Sequence, residues 1–166
     1  MQAVLQHVWM ASEYEGVVKR LVRAYKFDRV RAAYLPLAVA MTEVLPYLGQ
    51  DVAVVHIPTA ASRIRQRGYD QAELLAREIA RRQGWRYQHL LRRRHNDRQV
   101  GSSRAQRFEQ AQQAFEYRGG ELKSTHVLLV DDVTTSGATL TAAAQVLADA
   151  GAIRIDAVVA AKHVLE

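Results

Sequence analysis

The sequence predicts an α/β fold, a central and mostly parallel sheet flanked by helices, with a helical extension at the N-terminus. Three observations carry that expectation. Short β-branched runs alternate with segments whose apolar residues recur at helical spacing, and strands separated by helices pair in parallel. The chain has 166 residues, 49% of them hydrophobic and 24% charged, which suits one domain with a sizeable core. No repeat, low-complexity tract or linker divides it, so residues 1–166 read as a single domain, with a helical part over 1–48 and a core over 51–166.

Each element has a local reason. Ser12 and Glu15 form a capping box, and Val17, Val18, Leu21, Val22 and Tyr25 follow at helical spacing, so a first helix is expected over residues 13–27. A second helical stretch is expected over 29–48, broken or kinked by Pro36 and Pro46. The period then changes. Residues 52–57 form a β-branched run between Gly49 and Pro58, the mark of a buried strand. Asp70 with Glu73 caps a helix whose apolar stripe is Leu74, Leu75 and Ile79, and Gly84 terminates it. Residues 85–91 suggest a strand, Ser103 with Gln106 opens a polar helix toward Ala114, and Gly119 with Gly120 makes a turn. Residues 127–130 are an apolar strand ending in Asp131 and Asp132. Leu140, Ala144 and Leu147 mark a helix closed by Gly151, and residues 155–161 supply the last strand.

Composition excludes several functions. There is no cysteine, which removes thiol catalysis, Cys-ligated zinc and disulfides. The first twenty residues hold no continuous apolar stretch of signal-peptide type, and the longest apolar run, 32–41, is about half of the roughly 20 residues a spanning helix needs. A cytoplasmic protein without a membrane segment is the expectation. The formal charge is +6, and it is unevenly placed: residues 63–107 contain thirteen arginines against Asp70, Glu73, Glu78 and Asp97. Such a block suits an anionic partner, whether nucleic acid, polyphosphate or acidic protein. Arg77, Arg81 and Arg82 fit the solvated face of a helix. Arg92, Arg93, Arg94, Arg98, Arg104 and Arg107 lie where no apolar periodicity exists, as phosphate-binding loop arginines do.

The chemistry concentrates in residues 127–139, VLLVDDVTTSGAT. A strand runs into two acids, then into a loop of hydroxyls and glycine that opens a helix. In doubly wound sheets ligands bind beyond the carboxyl ends of the strands, where this loop lies. The first amides of the helix, its dipole, and the hydroxyls of Thr134, Thr135, Ser136 and Thr139 form an anion cradle, with Gly137 and Ala138 giving the backbone close approach. Asp131 and Asp132 can converge on one ligand only if the strand ends there. As acceptors they suit sugar hydroxyls. Acids beside a phosphate cradle describe a ribose phosphate. No Lys follows a second glycine as in a P-loop, Val133 breaks an Asp-x-Asp phosphatase motif, and no G-x-G-x-x-G follows any strand. Thr134 rather than Gly stands two before Ser136, so no nucleophile elbow is present.

This segment resembles the phosphoribosyl pyrophosphate signature of type I phosphoribosyltransferases, and the wider chain resembles the ComF family of competence proteins. Tyr14, Gly16, Leu21, Lys26 and Phe27 are similar to that family's N-terminal stretch. Arg67, Gly68, Tyr69, Asp70 and Gln71 are similar to its Arg-Gly-aromatic-Asn-Gln motif, with Asp70 where the family has Asn. Gly101, Ser103, Arg104, Ala105 and Arg107 are similar to its Gly-Leu-Ser-Arg-Ala-x-Arg motif. Family members usually begin with a four-cysteine zinc ribbon. This cysteine-free chain lacks one, so no zinc is expected.

The resemblance implies a type I phosphoribosyltransferase-like domain that binds phosphoribosyl pyrophosphate. Asp131 and Asp132 would hold the ribose, and residues 134–139 the 5′-phosphate. Thr59, Arg63 and Arg67 would meet the pyrophosphate, and a mobile loop over residues 92–104, including Arg104, would close the site. Mg²⁺ would arrive with the pyrophosphate. The domain would serve competence by handling single-stranded DNA beside a helicase-type partner, or would transfer ribose 5-phosphate to a nitrogen acceptor. A ligand-sensing regulator ranks last, since 166 residues leave no room for a DNA-binding domain. Lys26, Tyr25 and Tyr69 are candidates for recognising a base, against the plainer reading of an exposed Lys and core-edge aromatics. His56 has no assigned role, and Trp85 and Tyr87 fit core packing better than base stacking. The acceptor and the oligomeric state are not written in the sequence.

Overall fold

The computed structural model describes residues 4–27, 30–94, 114–120, 122 and 125–163. Five strands form one parallel sheet in the order β1-β7-β6-β2-β3: β1 (Val8–Glu13), β7 (Arg154–Lys162), β6 (His126–Thr134), β2 (Val52–His56) and β3 (Arg86–Tyr87). A separate antiparallel pair joins β4 (Leu91–Arg93) to β5 (Phe115–Tyr117). The helices are α1 (Gly16–Phe27), α2 (Tyr34–Glu43), α3 (Ala61–Arg67), α4 (Gln71–Gln83) and α5 (Ala138–Asp149), with one 3₁₀ turn at Arg31–Ala33.

The central strands are apolar at nearly every position because both faces of the sheet are covered. Val52, Val54, Leu128, Val130 and Val158 point to one face, where Val22 and Tyr25 of α1, Leu37 and Met41 of α2, and Leu75 and Ile79 of α4 pack on them. Ala53, Val55, Val127, Leu129 and Val159 point to the other, against Leu140 and Leu147 of α5 and Leu91 and Phe115 of the antiparallel pair. The two periods, 2 in strands and 3.6 in helices, thus meet in two apolar layers.

Helix α4 begins as expected. The Asp70 carboxylate accepts from the N–H groups of Ala72 and Glu73 at 3.1 and 3.3 Å, and Gly84 ends the helix in the left-handed region at φ 70°. Pro36 falls in the first turn of α2, where an amide has no intrahelical acceptor, so it does not break the helix; α2 stops at Glu43, ahead of Pro46.

Three expectations change. The chain enters the sheet before its first helix: residues 8–13 form edge strand β1, paired with β7, so Ser12 lies in a strand and the capping box does not exist. An edge strand with Val8 and Met10 each 41% exposed lacks the continuous apolar signature of β2. Residues 85–91 are not one strand; β3 takes two residues at the sheet edge and the chain then leaves for β4. Strand β6 runs through both acids to Thr134. The polar helix expected from Ser103 falls on residues outside those described.

Leu129, fully buried on β6, tests the core. Leu129→Ala is expected to cost about 2–5 kcal/mol in chemical denaturation, the range for a buried Leu whose site cannot collapse.

Candidate functional site

From β2 the chain turns through residues 57–60 into α3 and then α4 on one face, whereas from β6 it turns through 135–137 into α5 on the other. These are neighbouring strands, so their carboxyl ends frame the crevice where a doubly wound sheet binds ligands. The walls are unequal. Pairing between β2 and β6 stops at His56↔Val130, and Ile57 N–H donates to Val130 O at 2.9 Å, while β6 continues alongside β7 to Thr134.

That offset corrects the expectation that the strand ends at the acids. They project because β6 has lost one neighbour. By the parallel ladder the Asp132 N–H should face the missing strand, and the Asp131 carboxylate accepts it at 2.8 Å. Asp132 Oδ1 accepts from Val133 N–H at 2.6 Å and lies 2.9 Å from Lys26 Nζ. Lys26 comes from the last turn of α1 and is only 19% exposed, so it is an ion-pair partner of the acidic motif rather than a solvated lysine. Burial, followed by the Asp132 charge, pushes the Asp131 carboxyl up to about 8.

On the β6 side, Gly137 sits at the N-cap of α5 with φ 75°, as its place in the loop requires, and no side chain caps the helix there. Thr135, Ser136 and Thr139 are exposed, Gly137 and Ala138 half-buried. Thr134 is still within β6 and is buried, so it is strand rather than loop. Ser136 Oγ accepts from Ala138 N–H at 3.4 Å.

On the β2 side, Thr59 is not free. Its N–H and its hydroxyl both donate to Asp70, at 2.9 and 3.0 Å. Arg67 Nη1 donates to Gln71 Oε1 at 2.9 Å, and its guanidinium lies 5.6 Å from the Phe27 ring centroid. Burial lowers the pKa of Arg67, with Asp132 opposing that shift, so the two are electrostatic neighbours. Arg63 is exposed on α3. Arg93 reaches the same loop, donating to Pro58 O at 3.4 Å, with its guanidinium 5.4 Å from the Phe115 ring centroid. Arg104 lies outside the described residues.

Among the described residues, six arginines of the basic block contact four acids. Arg77 pairs with Glu73, Arg81 and Arg82 with Glu78, and Arg86 with Asp51. Arg92 and Arg94 lie 3.4 and 3.5 Å from Glu116, across the antiparallel pair. The expectation of unpaired loop arginines over 92–94 is therefore corrected, because the strand signal there comes from a partner distant in sequence. Tyr25 and Tyr69 stack at 5.4 Å, Tyr25 donating to Gln71 O and Tyr69 to Tyr25 O, so both hydroxyls are committed. His56, left without a role in the sequence, is buried with Nδ1 3.0 Å from the Tyr87 hydroxyl and Nε2 3.9 Å from Asp70 Oδ2. Burial lowers its pKa.

The phosphoribosyl transferase domain family matches residues 64–164, more than half of the chain. The chain belongs to that family. It is also similar to three curated competence proteins. Competence protein ComFC of Bacillus subtilis is 27% identical over 83% of this chain and 56% of its own length. Competence protein F of Haemophilus influenzae is 31% identical over 79% and 62%, and ComFC of Streptococcus pneumoniae 30% over 84% and 60%. The chain thus spans less than two thirds of the length of these relatives. The family match begins within α3 and ends past β7, so it contains both acids, the hydroxyl loop and α5. Among the described residues no helix of this domain is long and apolar enough to cross a membrane.

The Asp131 carboxyl gives a stability test. An unfolded aspartate loses its proton near pH 4, whereas Asp131 in the folded chain keeps it to about 8. The folded state binds the extra proton between those values, so Asp131 makes stability fall as pH rises across that window. Asp131→Asn removes the slope. Urea denaturation at several pH values is expected to show the variant gaining on the parent from about pH 4 toward pH 8.

Proposed function

We propose that the crevice binds phosphoribosyl pyrophosphate, with Mg²⁺ as part of the ligand. One observation carries the reading: two acids and a hydroxyl-bearing helix entrance stand on β6, directly across from an Arg-flanked loop on β2. A ribose with a phosphate at one end and a pyrophosphate at the other has the complementary order of groups.

Each role follows from an available atom. Asp132 Oδ1 is taken by Lys26 and Val133, which leaves Oδ2 for one ribose hydroxyl. Asp131 Oδ1 accepts the Asp132 N–H, and its other oxygen serves the neighbouring hydroxyl. Protonated at neutral pH, Asp131 can donate there, and the pair then carries less charge to repel phosphates. Residues 135–139 take the 5′-phosphate through hydroxyls and the first amides of α5. Arg67, charged and half-buried, meets the pyrophosphate, with Arg63 on the same helix. No cluster of three His, Cys, Asp or Glu able to hold a metal occurs among the described residues, and Lys26 already occupies Asp132, so magnesium is assigned to the ligand.

The family match supports a second reading, transfer of the ribose phosphate to a nitrogen acceptor. The anomeric C–O bond to pyrophosphate would break as the C–N bond forms, the pyrophosphate leaving with its Mg²⁺ and the acceptor losing a proton. The protein would act by positioning and by stabilising the leaving group. The names of the relatives support a role in competence, where a helicase-type partner would deliver single-stranded DNA.

Two measurements check these readings. Calorimetric titration of Mg²⁺–phosphoribosyl pyrophosphate is expected to show at least about a thirtyfold loss of affinity in the double variant Asp131→Asn, Asp132→Asn, since Asp132 contributes a charge-assisted bond worth about 1.5–3 kcal/mol and the protonated Asp131 a neutral one worth about 0.5–1.5 kcal/mol. Equal affinity removes the ribose assignment. For DNA, Arg63 and Arg65 are exposed on α3. Replacing both with Gln is expected to lower the slope of log K against log salt by about 1.4 for a single strand, and an unchanged slope takes α3 out of the interface.

A further inference from the structure

Asp70 does more than a helix cap requires. Capping α4 uses its bonds from Ala72 and Glu73. The same carboxylate, 8% exposed, also takes both donors of Thr59, the N–H on Oδ2 and the hydroxyl on Oδ1. Thr59 lies in the β2–α3 turn, and both of its donors are taken by Asp70 rather than open to an anion. Asp70 is moreover an electrostatic neighbour of both Arg67 and Asp131, so its charge is felt across the site.

We propose that Asp70 is a positioning residue that competes with the ligand's pyrophosphate for the Thr59 donors. The inference rests on the reading of the crevice given above. Binding would exchange two Thr59–carboxylate bonds for two Thr59–phosphate bonds, and the turn would have two arrangements, one closed on Asp70 and one open to the anion. His56 stands ready for the exchange. Its Nδ1 lies 3.0 Å from the Tyr87 hydroxyl and its Nε2 3.9 Å from Asp70 Oδ2, so in the tautomer with the proton on Nε2 a small shift would let the ring bond the carboxylate that Thr59 vacates. This gives a role to a histidine that is 2% exposed.

The test separates the two ends of the ligand. Asp70→Asn and Asp70→Ser both keep a good cap for α4. Asn lacks the charge and presents an amide to Thr59; Ser is too short to hold it. Calorimetry with Mg²⁺–pyrophosphate and, separately, with ribose 5-phosphate reads each end alone. Both variants are expected to bind pyrophosphate about tenfold tighter, the equivalent of one charge-assisted bond released to the ligand, with ribose 5-phosphate affinity as in the parent. Unchanged or weaker pyrophosphate binding overturns the inference alone, as does a parallel shift for both ligands, which a merely structural role would produce. A parent protein that binds neither ligand overturns the reading of the crevice, and this inference with it.

Discussion

The site depends on one offset in the sheet. Strands β2 and β6 pair from Val52↔His126 to His56↔Val130, and then β2 leaves while β6 runs on beside β7 to Thr134. Both strands are buried on both faces, so the chain beyond each must leave the sheet for a covering helix. With α4 on one face and α5 on the other, the two exits diverge and a crevice opens between them. The acids sit on the stretch of β6 that has a partner on one side only. A strand that ended at Val130 would leave them on a loose turn; one paired on both sides would tie up the Asp132 N–H in the ladder and close the crevice beside them.

Charge follows the same geometry. Carboxylates at the crevice would oppose an anionic ligand, and the fold answers with Lys26 on Asp132, Arg67 nearby, and burial that keeps Asp131 protonated to about pH 8. Among the described residues several arginines meet acids one turn away, as Arg77 does Glu73, or across a ladder, as Arg92 and Arg94 do Glu116. Glu78 and Glu116 each serve two arginines, so part of the positive charge stays unmatched even there. Exposed pairs of this kind add little stability.

Several elements were legible because their causes are local. Asp70, Glu73 and Gly84 mark both ends of α4 within one helix length. The β-branched run of β2 and the apolar run of β6 announce strands covered on both faces. Gly137 needs a positive φ that the hydroxyl-rich turn implies. Strand β1 was not legible, since an edge strand exposing Val8 and Met10 has no such signature. Nor was the antiparallel pairing of Arg92 with Glu116, whose partner lies far along the chain.

The sequence alone determined the α/β class and, over residues 127–139, the order strand, acids, hydroxyls, helix, because backbone periodicity, capping and turn preference act over a few residues. Tertiary structure decided which of those groups are free. Only packing of α1 on the sheet sets Lys26 on Asp132, and only the approach of the β2–α3 turn to the α4 cap commits Thr59 to Asp70. Such contacts arise where separate elements meet, and their energy depends on distance and burial, which no local stretch of sequence encodes.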